Sequence, residues 1–183
     1  MTKLDEILQS LGATNHDLVE KLPPAFVHLV RTLHLPLRRA TLTEIETARK
    51  AVREYLREKE GDVDYNDAAA LQVHLGILRR AELQHDVDIV EAEVHILRLG
   101  TIAIATNPFE LFLDYGNQIK ARSRAEQTFL IQLANGTEGY LPTEKAEKGG
   151  HYSGFLSSGL VGHAGGDQLV RETLKEIRDL FRD

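Results

Sequence analysis

The hydrophobic pattern of this chain changes its period near Asp86, and that change restricts the fold more than any other feature. Before it, apolar residues recur every three to four positions, which is the spacing of one helix face. After it, apolar and polar residues alternate, as in a strand with one buried face. The alternating apolar positions are Val90, Ala92, Val94 and Ile96. We therefore predict an α/β (α+β) protein with a mixed β-sheet layered with helices and a helical N-terminal part.

Helical spacing covers most of residues 1–85. The clearest helix is predicted over 43–60, where Thr43 and Glu46 have the spacing of a capping box. A second long helix is predicted over 65–84, with Asp64 or Asn66 as its cap. Shorter helical patterns are predicted over 2–11, 15–22 and 24–33, before extended chain at Pro36.

Residues 86–183 are predicted to follow the order β-β-α-β, a long loop and a final helix. Strands over 88–99 and 101–106 form a hairpin around Gly100. The later elements are predicted as a helix over 109–121, a strand over 128–133, a Gly-rich loop over 134–166 and a helix over 167–181 capped by Asp167. No linker divides the chain, so residues 1–183 are predicted to form a single domain.

Composition excludes several classes of function. The formal net charge is −6 and no long basic run occurs, so nucleic acid is not an expected partner. The absence of Cys excludes disulfides, thiolate nucleophiles and Cys-ligated zinc. No apolar stretch has the length of a transmembrane span, and no signal peptide is visible at the start. The compartment is left open, and the cytoplasm is compatible with these features.

Two side chains that are able to bind a ligand follow predicted strands. Glu110 comes just after the strand that ends in Asn107-Pro108, and Tyr140 follows the strand that ends in Asn135-Gly136. Open α/β sheets place their sites at such strand ends. The structural alternative is that Glu110 satisfies the first turn of a helix opened by Pro108, and that Tyr140 is an ordinary loop aromatic. The residues alone favour that alternative for Glu110.

A third polar set lies on the strand at 88–99, where Glu91, Glu93 and His95 share one face. Carboxylates with an imidazole resemble a mixed metal site, but a one-sided strand exposes such a face to water by default. His151 and His163 lie beside glycines of the Gly-rich loop and are too far apart in sequence for a compact zinc motif.

Two segments together resemble a known family. LRLGTIAIATNPFELFLDYGNQIKAR and IQLANGTEGYLPTEKAEKGGHYSG are similar to the C-terminal part of the catalytic domain of neutral/alkaline ceramidases and their uncharacterised bacterial relatives. The family's Pro-Gly-Glu segment falls on Pro108-Phe109-Glu110, and its Asn-x-x-x-x-Tyr loop falls on 135–140. Its Tyr-Glu-Gly segment becomes 152–154 here.

The resemblance implies a function for these residues. The family binds a catalytic zinc through two His, one Glu and one Tyr, and hydrolyses N-acyl amides. Glu110 and Tyr140 match its Glu and Tyr ligands, while its two zinc histidines have no counterpart in this chain. The neighbours expected around this partial site are Asn135, Asp114, His151, Tyr152 and His163.

The chain is therefore expected to be the C-terminal portion of a larger ceramidase-like domain, with a lipid-like N-acyl amide as the substrate of the whole. Alone it is expected to bind zinc weakly or not at all and to have little or no activity. Bare apolar surface from a missing N-terminal half makes self-association an expected property. The alternatives are a non-catalytic binding or assembly module, and a stand-alone enzyme that combines Glu110 with His95, His151 or His163.

Overall fold

The computed structural model describes residues 26–182. The strands are β1 (Phe26–Pro36), β2 (Ile89–Leu99), β3 (Ile102–Thr106), β4 (Glu110–Leu111), β5 (Gln127–Ile131) and β6 (Tyr140–Leu141). The helices are α1 (Leu42–Glu58), α2 (Tyr65–Leu83), α3 (Leu113–Arg122), α4 (Glu144–Gly149) and α5 (His163–Leu180), with 3-10 turns at Tyr152–Gly154 and Leu156–Ser158. None of the helices in this part of the chain combines the length and apolar composition that a membrane span requires.

The main sheet has four strands in the order β1-β2-β3-β5. β1 pairs with β2 and β2 with β3 in antiparallel fashion, whereas β3 and β5 are parallel. The β2–β3 hairpin turns at Gly100, whose φ of 59° lies in the left-handed region that glycine adopts without steric penalty. The predicted mixed sheet layered with helices is confirmed.

One face of this sheet forms the core. Alternation buries every second residue of the strands, and helices α3 and α5 cover that face with apolar side chains. The strand residues are Leu33, Leu35, Val90, Ala92, Val94, Ile96, Ala103 and Ala105, and the helix residues are Tyr115, Ile119, Leu169, Val170 and Ile177. Burying each large side chain contributes about 1.5–3 kcal/mol. On the opposite face, Phe129 and Ile131 remain about half exposed.

Helices α1 and α2 pack against each other, and α2 also packs against the 3-10 turn at Leu156–Ser158. Thr41 and Glu44 form the capping box of α1, so the prediction of Thr43 and Glu46 for this role is wrong. The Glu44 carboxylate accepts from the Thr41 amide at 2.7 Å, so the helix begins at Leu42. Asp64 caps α2, as one of the two predicted options.

The helix predicted over 24–33 is wrong from Phe26 onwards, because this segment is strand β1. All of β1 is in register with β2, from Phe26 opposite Leu99 to Pro36 opposite Ile89. Long-range pairing of this extent overrides a weak local helical pattern. The helices predicted over 2–11 and 15–22 lie outside the described residues.

Two helix starts also differ from prediction. The helix predicted from Phe109 begins at Leu113, because the Glu110 amide donates to the Gly139 carbonyl at 3.0 Å and forms a strand instead. The last helix begins at His163 rather than Asp167, with Gly162 at its cap. The loop predicted over 134–166 contains β6, α4 and both 3-10 turns.

Candidate functional site

Glu110 and Tyr140 lie opposite each other in a small parallel sheet. The register of β4 with β6 sets Glu110 against Tyr140 and Leu111 against Leu141. Phe109 and Leu141 are fully buried beside them and anchor the two strands to the core. The structure therefore brings together the two side chains that the sequence predicted as ligands, on backbone that is fixed by packing.

The loop that precedes Tyr140 is joined to the residues that precede Glu110 by main-chain hydrogen bonds. Ala134 donates to the Asn107 carbonyl at 3.0 Å, and Glu138 donates to the Pro108 carbonyl at 2.9 Å. Within this loop Asn135 has a φ of 60°, and a short polar side chain tolerates that conformation. Main-chain hydrogen bonds alone therefore connect the two halves of the candidate site.

Tyr152 completes the polar surroundings of Tyr140. The two phenol oxygens are 3.4 Å apart, and the rings meet edge to face with centroids 5.6 Å apart. Hydrogen bonding with the Tyr152 hydroxyl, and then with the Glu110 carboxylate, raises the pKa of Tyr140 above its ordinary range. Tyr140 is therefore a neutral phenol at physiological pH. The His151 ring lies 4.9 Å from that of Tyr152, so it borders this group.

His163 is held in a different network. Its Nδ1 is 2.8 Å from Glu147, and its backbone amide donates to the same carboxylate at 2.7 Å. Arg38 approaches this carboxylate at 3.6 Å. These contacts fix the first turn of α5 to α4, which is a structural role. Asp114 is exposed in the first turn of α3 and has none of these partners in the described residues.

Asn135 contacts the polar face of β2 and not the Tyr140 hydroxyl. Its amide nitrogen is 2.6 Å from His95 Nε2, which also lies 3.0 Å from Glu93. His28 Nε2 is 2.8 Å from the other nitrogen of His95. Glu91 is on the same face, exposed, with His34 at 3.5 Å. His28 was missed as a member of this cluster because its segment was predicted as a helix, whereas a period of two would have placed it on this face.

The donor set for a metal is small. Within residues 26–182, no three His, Asp or Glu side chains converge in a way that could hold a metal ion. Glu110 and Tyr140 provide two oxygen donors, and a catalytic zinc takes three protein ligands and keeps an open position. The described residues therefore do not make a complete zinc site.

Arg80 is a buried polar residue that the sequence analysis did not select as a candidate. Only 5% of its surface is exposed, and its guanidinium donates to the carbonyls of Arg38 at 2.6 Å and Gly159 at 2.8 Å. A signal for it was present, because Arg80 falls on the same helical spacing as Val73 and Ile77. An arginine on the packed face of a helix points to a buried hydrogen-bonding role.

Comparisons with known proteins give a likeness of fold. No protein family matches the sequence, and no curated protein is similar to it. The neutral ceramidase from Pseudomonas aeruginosa is similar in structure, with a TM-score of 0.51 and 16% identity over 86% of this chain. A ceramidase complexed with C2 aligns over 55% of this chain and 19% of its own, with a TM-score of 0.43 and 16% identity.

This chain spans 29% of the length of the Pseudomonas neutral ceramidase. At 16% identity the similarity shows a ceramidase-like fold and nothing about activity. The fold expected from the sequence resemblance is thereby confirmed at that level.

Proposed function

We propose that this chain is the C-terminal portion of a ceramidase-like, zinc-dependent amidohydrolase that acts on N-acyl amides when the whole catalytic domain is assembled. The observation that carries the proposal is the pairing of Glu110 with Tyr140 across β4 and β6 in a ceramidase-like fold. A carboxylate and a phenol held side by side by main-chain pairing are the two ligands that the family resemblance assigns to this part of the domain.

Zinc, when bound, lowers the pKa of a coordinated water and polarises the amide carbonyl. Glu110 and Tyr140 would be two of its ligands, and the remaining ligands would come from outside the described residues. A neutral phenol is a weak ligand, and hydrogen bonds to Tyr152 and Glu110 keep Tyr140 protonated. The isolated chain should therefore bind zinc weakly or not at all and hydrolyse N-acyl amides little or not at all.

The second candidate is a binding or assembly module that has lost the metal site. One observation favours it: hydrogen bonding with the Tyr152 hydroxyl, 3.4 Å away, and with the Glu110 carboxylate keeps Tyr140 a neutral phenol, which is a weak metal ligand. The two proposals differ in whether zinc perturbs these three side chains at all.

The first prediction concerns zinc binding. Calorimetric titration of the chain with zinc at neutral pH should show no tight one-to-one binding. An amide NMR titration extended to millimolar zinc should then show weak shifts at Glu110 and Tyr140. Glu110→Gln should abolish these shifts, since it removes the only anionic donor of the pair. Glu126→Gln is the matched control, because Glu126 is an exposed carboxylate outside the candidate site.

The outcomes separate the proposals. Tight one-to-one zinc binding that depends on Glu110 would contradict the incomplete site. Absence of any shift at Glu110 and Tyr140 would contradict the zinc-dependent proposal and support the binding module. Hydrolysis of a fluorogenic N-acyl amide by the chain with zinc would contradict the expected inactivity of the isolated chain.

A further inference from the structure

A cleft of about 440 Å³ lies between helix α2 and the two 3-10 turns. Its volume is within the range of small-molecule sites. Gly76 makes the close approach possible, because a Cβ there would fall 2.2 Å from Cβ of Ser157. Ser157 and Ser158 therefore line the cleft opposite α2, and Tyr152 lies at its border with the candidate site.

The charge of this cleft is opposite to that of the chain. The chain carries a formal net charge of −6, yet no acidic residue lines the cleft and two arginines do. Arg79 is exposed at the rim, and Arg80 is buried beneath it. In the described residues, neither arginine forms a salt bridge with a carboxylate. The positive charge of the lining favours an anion over a cation in this cleft.

Arg80 supplies a positive charge that no carboxylate of the described residues pairs with. The hydrogen bonds of its guanidinium within the described residues all run to main-chain carbonyls, those of Arg38, Leu156, Gly159 and Leu160. Carbonyl dipoles satisfy the donors but carry no net negative charge. Burial, and then the positive charge of Arg38, lower the pKa of Arg80, which is the response of a desolvated cation beside a like charge. An anion bound in the cleft would offset the positive charge of Arg80.

The remaining lining is apolar. Val73, Leu83, Phe155 and Leu160 face the cleft beside the polar groups. Such a surface suits a short hydrocarbon chain, since burying its methylene groups removes apolar area from water. Inorganic anions would use only part of this lining, whereas an amphiphile would use both parts.

We propose that this cleft binds a small amphiphile with one anionic head group, a carboxylate or a phosphate. Arg79 contacts the head group, and Arg80 provides the buried positive charge. The apolar residues enclose the hydrocarbon chain of the ligand. The site needs neither zinc nor Glu110. It is therefore independent of the proposed hydrolase function, although Tyr152 connects it to Tyr140.

Calorimetric titration of the whole chain with three amphiphiles of equal chain length tests the proposal. The ligands are decanoate, decyl phosphate and decyltrimethylammonium, each used below its micelle concentration. At least one anion should bind one-to-one and about tenfold or more tighter than the cation of equal chain length. The tighter of the two anions identifies the head group. Equal binding of all three would overturn the proposal, since apolar attraction alone would then explain it.

Arg79→Gln supplies the residue-level test. The exposed position allows the variant to fold, which thermal unfolding verifies. Its anion affinity should fall about tenfold, the loss of one charge-assisted hydrogen bond. Arg53→Gln removes an exposed arginine from α1, away from the cleft, and should leave the affinity unchanged. Equal affinities of the Arg79 variant and the unaltered chain would overturn the assignment of the head group to this cleft.

Discussion

Gly159 controls the position of Tyr140, and a single methyl group tests this. Gly159 forms an antiparallel bridge with Gly139, so its Cα faces the backbone of the neighbouring Tyr140. A Cβ at Gly159 would lie 2.1 Å from the Tyr140 carbonyl oxygen and 3.1 Å from its carbonyl carbon. The φ of Gly159 is −166°, an extended value open to any residue. Gly159→Ala therefore introduces a steric contact without backbone strain.

The size of the effect follows from that distance. An ordinary contact of a Cβ begins near 3.4 Å, so the methyl group and the Tyr140 carbonyl oxygen must separate by about 1.3 Å. The atom in contact is backbone and cannot rotate away. Overpacking of this kind destabilises by about 1–3 kcal/mol. For a chain of this length, that lowers the midpoint of thermal unfolding by roughly 2–12 °C.

The assay combines stability with a local probe. Urea unfolding gives the free energy, and amide NMR reports the environment of Tyr140 and Leu141. Gly149→Ala is the matched control, because no heavy atom lies within 4 Å of a Cβ at Gly149. Gly149 is the last residue of α4, so alanine there should be neutral or stabilise by up to about 1 kcal/mol. Gly159→Ala within about 0.5 kcal/mol of the unaltered chain, with the Tyr140 amide unshifted, would refute the close contact.

Two further predictions concern buried polar groups. Tyr115→Phe removes a hydroxyl that donates to the buried Pro142 carbonyl at 2.9 Å, and should destabilise by about 1–3 kcal/mol in urea unfolding, whereas Tyr65→Phe at an exposed position should change little. The Asp64 amide, donating at 2.7 Å, is the largest cause that holds the pKa of Asp67 well below its usual range. As pH falls, the carboxylate of Asp67 is protonated in the unfolded chain first, near pH 4. Asp67 therefore stabilises the fold above that pH, and this contribution is lost as pH falls further. Asp67→Asn should reduce the loss of stability between roughly pH 5 and 2, and an unchanged pH profile of stability would contradict this prediction.

The parts of the fold that were predictable depend on local patterns that tertiary structure did not oppose. The alternation from Val90 to Ile96 is the buried face of β2, and Gly100 supplies the left-handed turn that a hairpin requires. The spacing at Tyr65 and its Asp64 cap gave the second helix almost to the residue. In each case the sequence within one element contains the whole signal.

The parts that were not predictable depend on a partner distant in sequence. Phe26–Pro36 has a weak helical pattern, yet a strand 53 to 73 residues later pairs with its whole length. Glu110 follows a proline as a helix-opening residue does, yet the Gly139 carbonyl converts it into a strand residue. Neither partner lies in the sequence of the element itself. The prediction from local pattern is therefore consistent with that pattern and still wrong.

The candidate site shows the same dependence most clearly. Strand-end position and the family resemblance selected Glu110 and Tyr140, but the register that sets them opposite each other depends on a strained connection. Leu133 in that connection has a φ of 55°, a conformation that costs a non-glycine residue about 1–2 kcal/mol. Its amide donates to the Phe109 carbonyl at 3.3 Å, and the adjoining bonds to Asn107 and Pro108 hold the chain in place. Strain persists only where surrounding bonds outweigh it, and here those bonds join the residue before Glu110 to the loop before Tyr140. The geometry of the pair is therefore a property of two segments that fold together, and neither segment encodes it alone.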